Sequence, residues 1–158
     1  ERQRDQAATR GQGVHQAIAL ALQEEPYPGE LASYVAQALA FLASQGLQVL
    51  SHEAVLVSRR HGYAGTCDVA SQGEAGLVLL DWKTGGLWPE HALQLGAYAI
   101  ALEEMTGQAV REAYLVALRE GSYSVRQVEL PAARRGFLAA LELWRVLQSE
   151  LLTRGDTP

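Results

Sequence analysis

The apolar positions of this chain follow two periods, and the switches between them mark out the elements. From residue 5 to about 25, Val14, Ile18, Ala21 and Leu22 recur at helical spacing, and Pro26 and Pro28 close the stretch. Gly11 and Gly13 lie inside that pattern at a cost of about 1 kcal/mol each relative to Ala, which points to a close backbone approach. A second helical pattern runs from about Glu30 to Gln45 and stops at Gly46. Strand-like runs follow at 47–58, 63–71 and 77–84, separated by "RRHG" and "GEAG", short polar stretches suited to hairpin turns. Pro89 suits the first position of a helix that continues to Gly107, its C-terminal glycine. Residues 110–119 and 122–130 make two more strands around Gly121, and Pro131 starts a final helix to about Leu152. This order predicts an α/β fold, a mixed central sheet of about five strands flanked by helices on both faces.

One strand carries an anomaly. Leu77-Val78-Leu79-Leu80 reads as buried on both faces, yet it runs straight into Asp81, Trp82 and Lys83. Unpaired charge buried at a strand end costs several kcal/mol or forces a proton shift. The turns indicate what surrounds it. Folding the first hairpin between Arg60 and His61 sets Glu53 opposite Asp68, and folding the second between Glu74 and Ala75 sets Asp68 opposite Asp81. Three carboxylates then stand in one row across adjacent strands, with neighbouring Cβ atoms about 5 Å apart. Lys83 shares the face of Asp81 by the two-residue alternation. A one-residue slip in either hairpin would break the row. Aligned carboxylates repel unless a positive charge lies among them, and oxygen ligands at this spacing suit a hard divalent cation, Mg²⁺ or Mn²⁺. A structural ion-pair network at the sheet end is the other reading.

Composition narrows the class. The 158 residues suffice for one domain with a substantial core, so residues 1–158 are read as a single domain. The first residue is Glu, which suggests a domain cut from something longer. No apolar run approaches the roughly 20 residues needed to span a bilayer, so no membrane role is expected. A single cysteine, Cys67, excludes a disulfide framework and a Cys-rich zinc or iron–sulfur site within the chain. A reducing cytoplasm is therefore the expected compartment. Cys67 itself reads as a buried apolar filler. Net charge is −5, which lowers the prior for nucleic-acid binding without settling it, because phosphate affinity depends on local Lys and Arg placement. Arg59, Arg60 and His61 form a basic turn at one sheet end, either merely solvated or touching a nucleic-acid backbone, and Arg134 and Arg135 are a weaker candidate of that kind.

Five stretches taken together resemble the PD-(D/E)xK nuclease superfamily, in its RecB-type branch: "GQGVHQAI", "SHEAVLVS", "GTCDVA", "DWKTG" and "QLGAY". They stand in that family's order and cover residues 11 to 98; a lone D-x-K would be weak evidence. The resemblance implies a restriction-endonuclease-like core. It implies that Asp68 and Asp81 bind one or two catalytic Mg²⁺ or Mn²⁺ ions, with His15 and the backbone carbonyl of Trp82 completing the shell. Lys83 would orient or activate the attacking water, Glu53 would support the site, and Gln94 and Tyr98 would contact DNA near the scissile phosphate. Arg59 and Arg60 of the basic turn are the further DNA-contact candidates, from their charge and place at the sheet end rather than from the resemblance. Relatives used in CRISPR adaptation carry four cysteines for an iron–sulfur cluster, which cannot form with Cys67 alone. No Walker-type glycine loop is present, so a helicase motor, if one takes part, lies on another domain or partner.

The expected function is a metal-dependent deoxyribonuclease, an exonuclease acting on single strands or DNA ends in repair or recombination, either free-standing or part of a helicase–nuclease. The alternatives are a catalytically inactive DNA-end-binding module and a structural subunit of such a complex.

Overall fold

Both expected hairpins form, and they build one side of the sheet. The structure, a computed structural model, describes the backbone of residues 2–149 and the side chains of residues 9–149. Strand β1 (Gln48–Ser58) pairs antiparallel with β2 (Tyr63–Gln72), closing with Ser58 opposite Tyr63. Strand β2 pairs antiparallel with β3 (Leu77–Lys83), closing with Gln72 opposite Leu77. Gly62 takes the left-handed position of the first turn at φ 65°, and its N–H donates to the Ser58 carbonyl at 2.8 Å. Helix α3 (Pro89–Thr106) carries the chain back so that β4 (Val110–Arg119) runs parallel to β3, the connection a parallel pair requires. Strand β5 (Ser122–Gln127) turns back antiparallel on β4. The five strands stand in the order β1-β2-β3-β4-β5.

Helices cover both faces of this mixed sheet, as expected. On one face, Val14 and Ile18 of α1 (Arg2–Leu22) and Val35 and Phe41 of α2 (Ala32–Ser44) pack on Val78, Leu80, Trp82 and Val116. On the other, Leu95, Tyr98 and Leu102 of α3 and Ala133 of α4 (Leu130–Gln148) pack on Leu77, Leu79 and Leu115. Strand β3 therefore buries alternate residues into two cores, which is why its apolar run is unbroken rather than alternating. The ring of Trp82 meets Phe41 edge-on with centroids 6.3 Å apart, an arrangement worth about 0.5–1.5 kcal/mol beyond burial. Helices α3 and α4 touch backbone to backbone at Gly96. A Cβ there would lie 2.5 Å from the Ala133 carbonyl carbon.

Two boundaries differ from the periodicity. Helix α1 ends at Leu22 rather than near residue 25, because Glu24 adopts a left-handed φ of 61° and the N–H of Glu25 reaches back to the Leu20 carbonyl at 2.9 Å. A left-handed cap, not Pro26, terminates it. Strand β5 stops at Gln127, since the Val128 N–H turns to the Ala113 carbonyl and Glu129 becomes the N-cap of α4. The expected helix end near Leu152 lies outside the described residues. No helix among the described residues is long and apolar enough to cross a membrane.

Candidate functional site

The carboxylate row depends on register, and the register is the one the turns predict. Ser51 pairs with Ala70, His52 with Val69 and Ala54 with Cys67, which brackets Glu53 opposite Asp68. Val69 pairs with Leu80, so Asp68 and Asp81 occupy the next step of the β2–β3 ladder. Beyond it the two strands part, and the side chain of Asp68 bridges the gap by accepting the Trp82 N–H on Oδ2 at 2.7 Å. Two irregularities in β1 have no signal in the pattern of apolar residues. The register shifts between Val49 and Ser51, and Glu53 itself sits at a left-handed φ of 47°. For a non-glycine residue that conformation costs roughly 1 kcal/mol, and strain of this kind gathers at functional sites.

The fourth member comes from α1. His15 Nδ1 lies 3.1 Å from Oδ1 of Asp68. Gly11, one turn earlier, lets the helix approach the end of β3, since a Cβ there would stand 3.3 Å from Thr84 Oγ1. Gly13 meets only an ordinary contact with Leu31. One ligand atom from each of His15, Glu53 and Asp68 falls within 4.8 Å of the others, a nitrogen and two oxygens that could hold a cation. Burial alone would lower the His15 pKa, but the hydrogen bond it donates to Asp68 and the charges of Asp68 and Asp81 outweigh it and leave it raised. Glu53 is raised as well, by burial first and by the charge of Asp68 second. The charge of Asp68 contributes to both shifts.

Asp81 stands beside this group rather than inside it. Its side chain is almost wholly buried, and Oδ2 is ion-paired with Lys83 Nζ at 2.6 Å. Burial, then the charge of Asp68, pushes its carboxyl up to about 6, against the opposing pull of Lys83. Lys83 in turn lies 3.5 Å from Gln94 Oε1, and Gln94 Nε2 donates to the Tyr98 hydroxyl at 2.8 Å. Gln94 and Tyr98 are one helical turn apart on α3, so the chain Asp81–Lys83–Gln94–Tyr98 runs from the sheet end onto the helix. Tyr98 lies over Gly65 of β2, where a Cβ would come 2.7 Å from Cε1 of its ring.

The remaining sequence candidates are placed elsewhere. Arg59 and Arg60 are exposed in the β1–β2 turn, six residues along from Glu53, roughly 20 Å by strand rise. Their turn is held by Glu104 of α3, which accepts the Ser58 hydroxyl at 2.6 Å and the N–H groups of Arg59 and Arg60 at 2.8 and 3.0 Å. Arg134 is paired with Glu103 at 2.8 Å and is structural. Cys67 is fully buried, with its thiol pushed well up by burial, as an apolar filler should be. Sequence reasoning missed Gln12 and Gln16, which with His15 and Glu53 line an open groove of about 420 Å³ along α1. Their signal was available, since 12, 16 and 19 share one helix face with 15 at its edge.

Comparison with protein-family models and with curated proteins finds no match. Among solved structures, a repair endonuclease from Pyrococcus abyssi is similar to 52% of this chain, at 22% sequence identity and a TM-score of 0.37. The match covers 36% of that protein, so this chain spans little more than a third of its length.

Proposed function

We propose that this chain is a divalent-metal-dependent deoxyribonuclease domain of the RecB-type PD-(D/E)xK kind. It hydrolyses phosphodiester bonds as an exonuclease on single strands or DNA ends during repair or recombination, alone or beside a helicase. The observation that carries the reading is the group of His15, Glu53 and Asp68, with ligand atoms within 4.8 Å, next to the Asp81–Lys83 contact of 2.6 Å. A purely structural ion-pair network accounts for this less well, because it leaves Glu53 in a strained conformation with no ion-pair partner of its own among the described residues.

The donor set fits a hard cation. Asp68, Asp81 and Glu53 offer oxygens. The bond between His15 Nδ1 and Asp68 places the proton of a neutral imidazole on Nδ1 and leaves Nε2 bare. The Trp82 carbonyl leaves β3 on the same side as its N–H, toward Asp68. Bound Mg²⁺ or Mn²⁺ would acidify water and neutralise phosphate charge. Asp68 keeps His15 oriented while holding the strand end. Lys83, aimed by Asp81 and Gln94, presents an ammonium to the attacking water and to the charge that develops on the phosphate, an interaction stronger in the transition state than in the ground state. Gln94 and Tyr98 position the DNA strand.

End-labelled single- and double-stranded DNA incubated with the purified chain tests this, with Mn²⁺ and with EDTA. Cleavage should require the metal, and Lys83→Ala should lower the single-turnover rate by about 100-fold or more. No cleavage in Mn²⁺, with metal binding intact by calorimetry, would leave the inactive DNA-end-binding module in its place.

A further inference from the structure

A second groove, of about 480 Å³, begins where the site ends. Gln94 and Tyr98 line it, and its walls continue with Tyr63, Phe137, Leu141 and Trp144. Its aromatic residues come from β2, α3 and α4, three elements that meet only in the folded chain. Tyr63 and Phe137 pack edge-on with centroids 4.7 Å apart, and the Tyr63 hydroxyl is satisfied by the Ala97 carbonyl at 2.7 Å, so this wall is built rather than loose. Trp144 is 58% exposed although it lines the groove. An indole left open against a preorganised aromatic wall is a surface for a flat partner.

The two ends of the groove identify that partner. At one end Gln94 meets Lys83. At the other, Gly62 belongs to the basic turn of Arg59, Arg60 and His61, and Arg145 of α4 donates to the His61 carbonyl. Among the described residues, Arg59, Arg60 and Arg145 are paired with no carboxylate, and Glu104 spends its oxygens on the Ser58 hydroxyl and on backbone N–H groups. Positive charge unpaired with a carboxylate thus stands at the turn end of an aromatic trough whose other end opens on the Asp81–Lys83 pair, in a chain of net charge −5. Aromatic faces for bases combined with cations for phosphates are how single strands are held without sequence preference.

Resting on the nuclease reading, we infer that this groove binds a single-stranded segment of the substrate, with bases stacked on Trp144 and phosphates drawn to Arg59, Arg60 and Arg145. The strand runs from that turn past Tyr98 and Gln94 to the carboxylates. Duplex DNA has no free base faces to offer, so the groove selects unpaired ends.

Fluorescence anisotropy with labelled oligo(dT) and a duplex of equal length, in Ca²⁺ to suppress turnover, tests the inference. Trp144→Ala should weaken oligo(dT) binding by about 5- to 100-fold, the range for losing one base–aromatic stack. Trp144→Phe should recover part of that loss. Leu147→Ala, on the exposed apolar part of α4 outside the groove, should bind as the parent does. Equal affinity of parent and Trp144→Ala overturns the inference, even if the parent cleaves DNA. A Trp144-dependent change in sedimentation mass with unchanged DNA affinity also overturns it and assigns the face to a protein partner. Trp144-dependent binding by a parent that never cleaves in Mn²⁺ upholds the groove and removes the nuclease reading. A parent that neither binds nor cleaves removes both.

Discussion

The backbone N–H of Trp82 donates to Oδ2 of Asp68 at 2.7 Å, one step past the last regular pair of β2 and β3, Val69 with Leu80. A carboxylate thus closes the strand pair where a carbonyl otherwise would, and its other oxygen, Oδ1, meets His15 at 3.1 Å. Asp68 thus holds a strand end with one oxygen and an imidazole with the other, and substitution separates the two.

Asp68→Asn keeps an acceptor for the Trp82 N–H. Asp68→Ala leaves that buried donor unpaired, at about 1–3 kcal/mol, partly offset by relief of repulsion on Asp81. Both variants should lose Mn²⁺ binding by calorimetry and lose cleavage by at least about 100-fold, while only the Ala variant melts clearly below the parent. Parental cleavage by either one would show that Asp68 does not hold the metal. Equal melting temperatures would show that the bond does not secure the strand end.

Glu53 sits at φ 47°, a conformation that only glycine adopts freely. Glu53→Gly should therefore leave the apo protein as stable as the parent or up to about 1 kcal/mol more stable, and it should weaken Mn²⁺ affinity and slow cleavage. Gain in stability with loss of function is the mark of strain kept for a site. Urea melts and calorimetry on the same samples decide the matter. A strongly destabilised Gly variant would mean that the Glu53 side chain holds the strand together.

The ring of Tyr98 rests where a Cβ on Gly65 would come to 2.7 Å. Gly65→Ala should cost about 1–3 kcal/mol by overpacking and should slow cleavage by displacing the Gln94–Tyr98 pair. In a Tyr98→Ala background the same substitution should cost almost nothing, giving a coupling energy of about 1 kcal/mol or more in a double-mutant cycle. Additive effects would place the cost in the β2 backbone instead.

How far the site can be read from the chain follows from which contacts are local. The row of Glu53, Asp68 and Asp81 is legible because two short turns determine strand pairing by counting. The five strands are legible for the same reason, together with the Pro89 and Gly107 boundaries of α3. The register shift between Val49 and Ser51 and the left-handed Glu53 are not, since no glycine or proline marks them. That Asp81 turns to Lys83 while His15, Glu53 and Asp68 gather separately is also hidden, because it depends on where α1 crosses the sheet end. The aromatic groove is hidden for a like reason: Phe137 and Trp144 read as the apolar stripe of an ordinary helix until α4 lies beside Tyr63 and Tyr98.

Asp81 links this geometry to pH. Its carboxyl is pushed up to about 6 from an ordinary 3.8, by burial first and by Asp68 second. The folded chain therefore holds that proton more tightly than the unfolded chain, and folding takes up a proton between those two values. Stability from this group is full below about pH 4, falls as pH rises through that window, and is gone above about pH 6 to 7. Asp81→Asn has no proton to lose. In EDTA its stability should exceed the parent's by on the order of 2 kcal/mol at pH 8, a rise of about 5 °C in melting temperature for a domain of this size. At pH 4 the two proteins should melt together, because Asp81 of the parent is then neutral beside the same Lys83. Adding Mn²⁺ at pH 8 should raise the parent more than the variant, since the variant keeps only the Glu53 and Asp68 carboxylates for a cation to compensate. An Asn variant less stable than the parent at pH 8 would mean that the Asp81–Lys83 pair stabilises the fold on its own, and that the carboxylates at this sheet end do not wait on a metal.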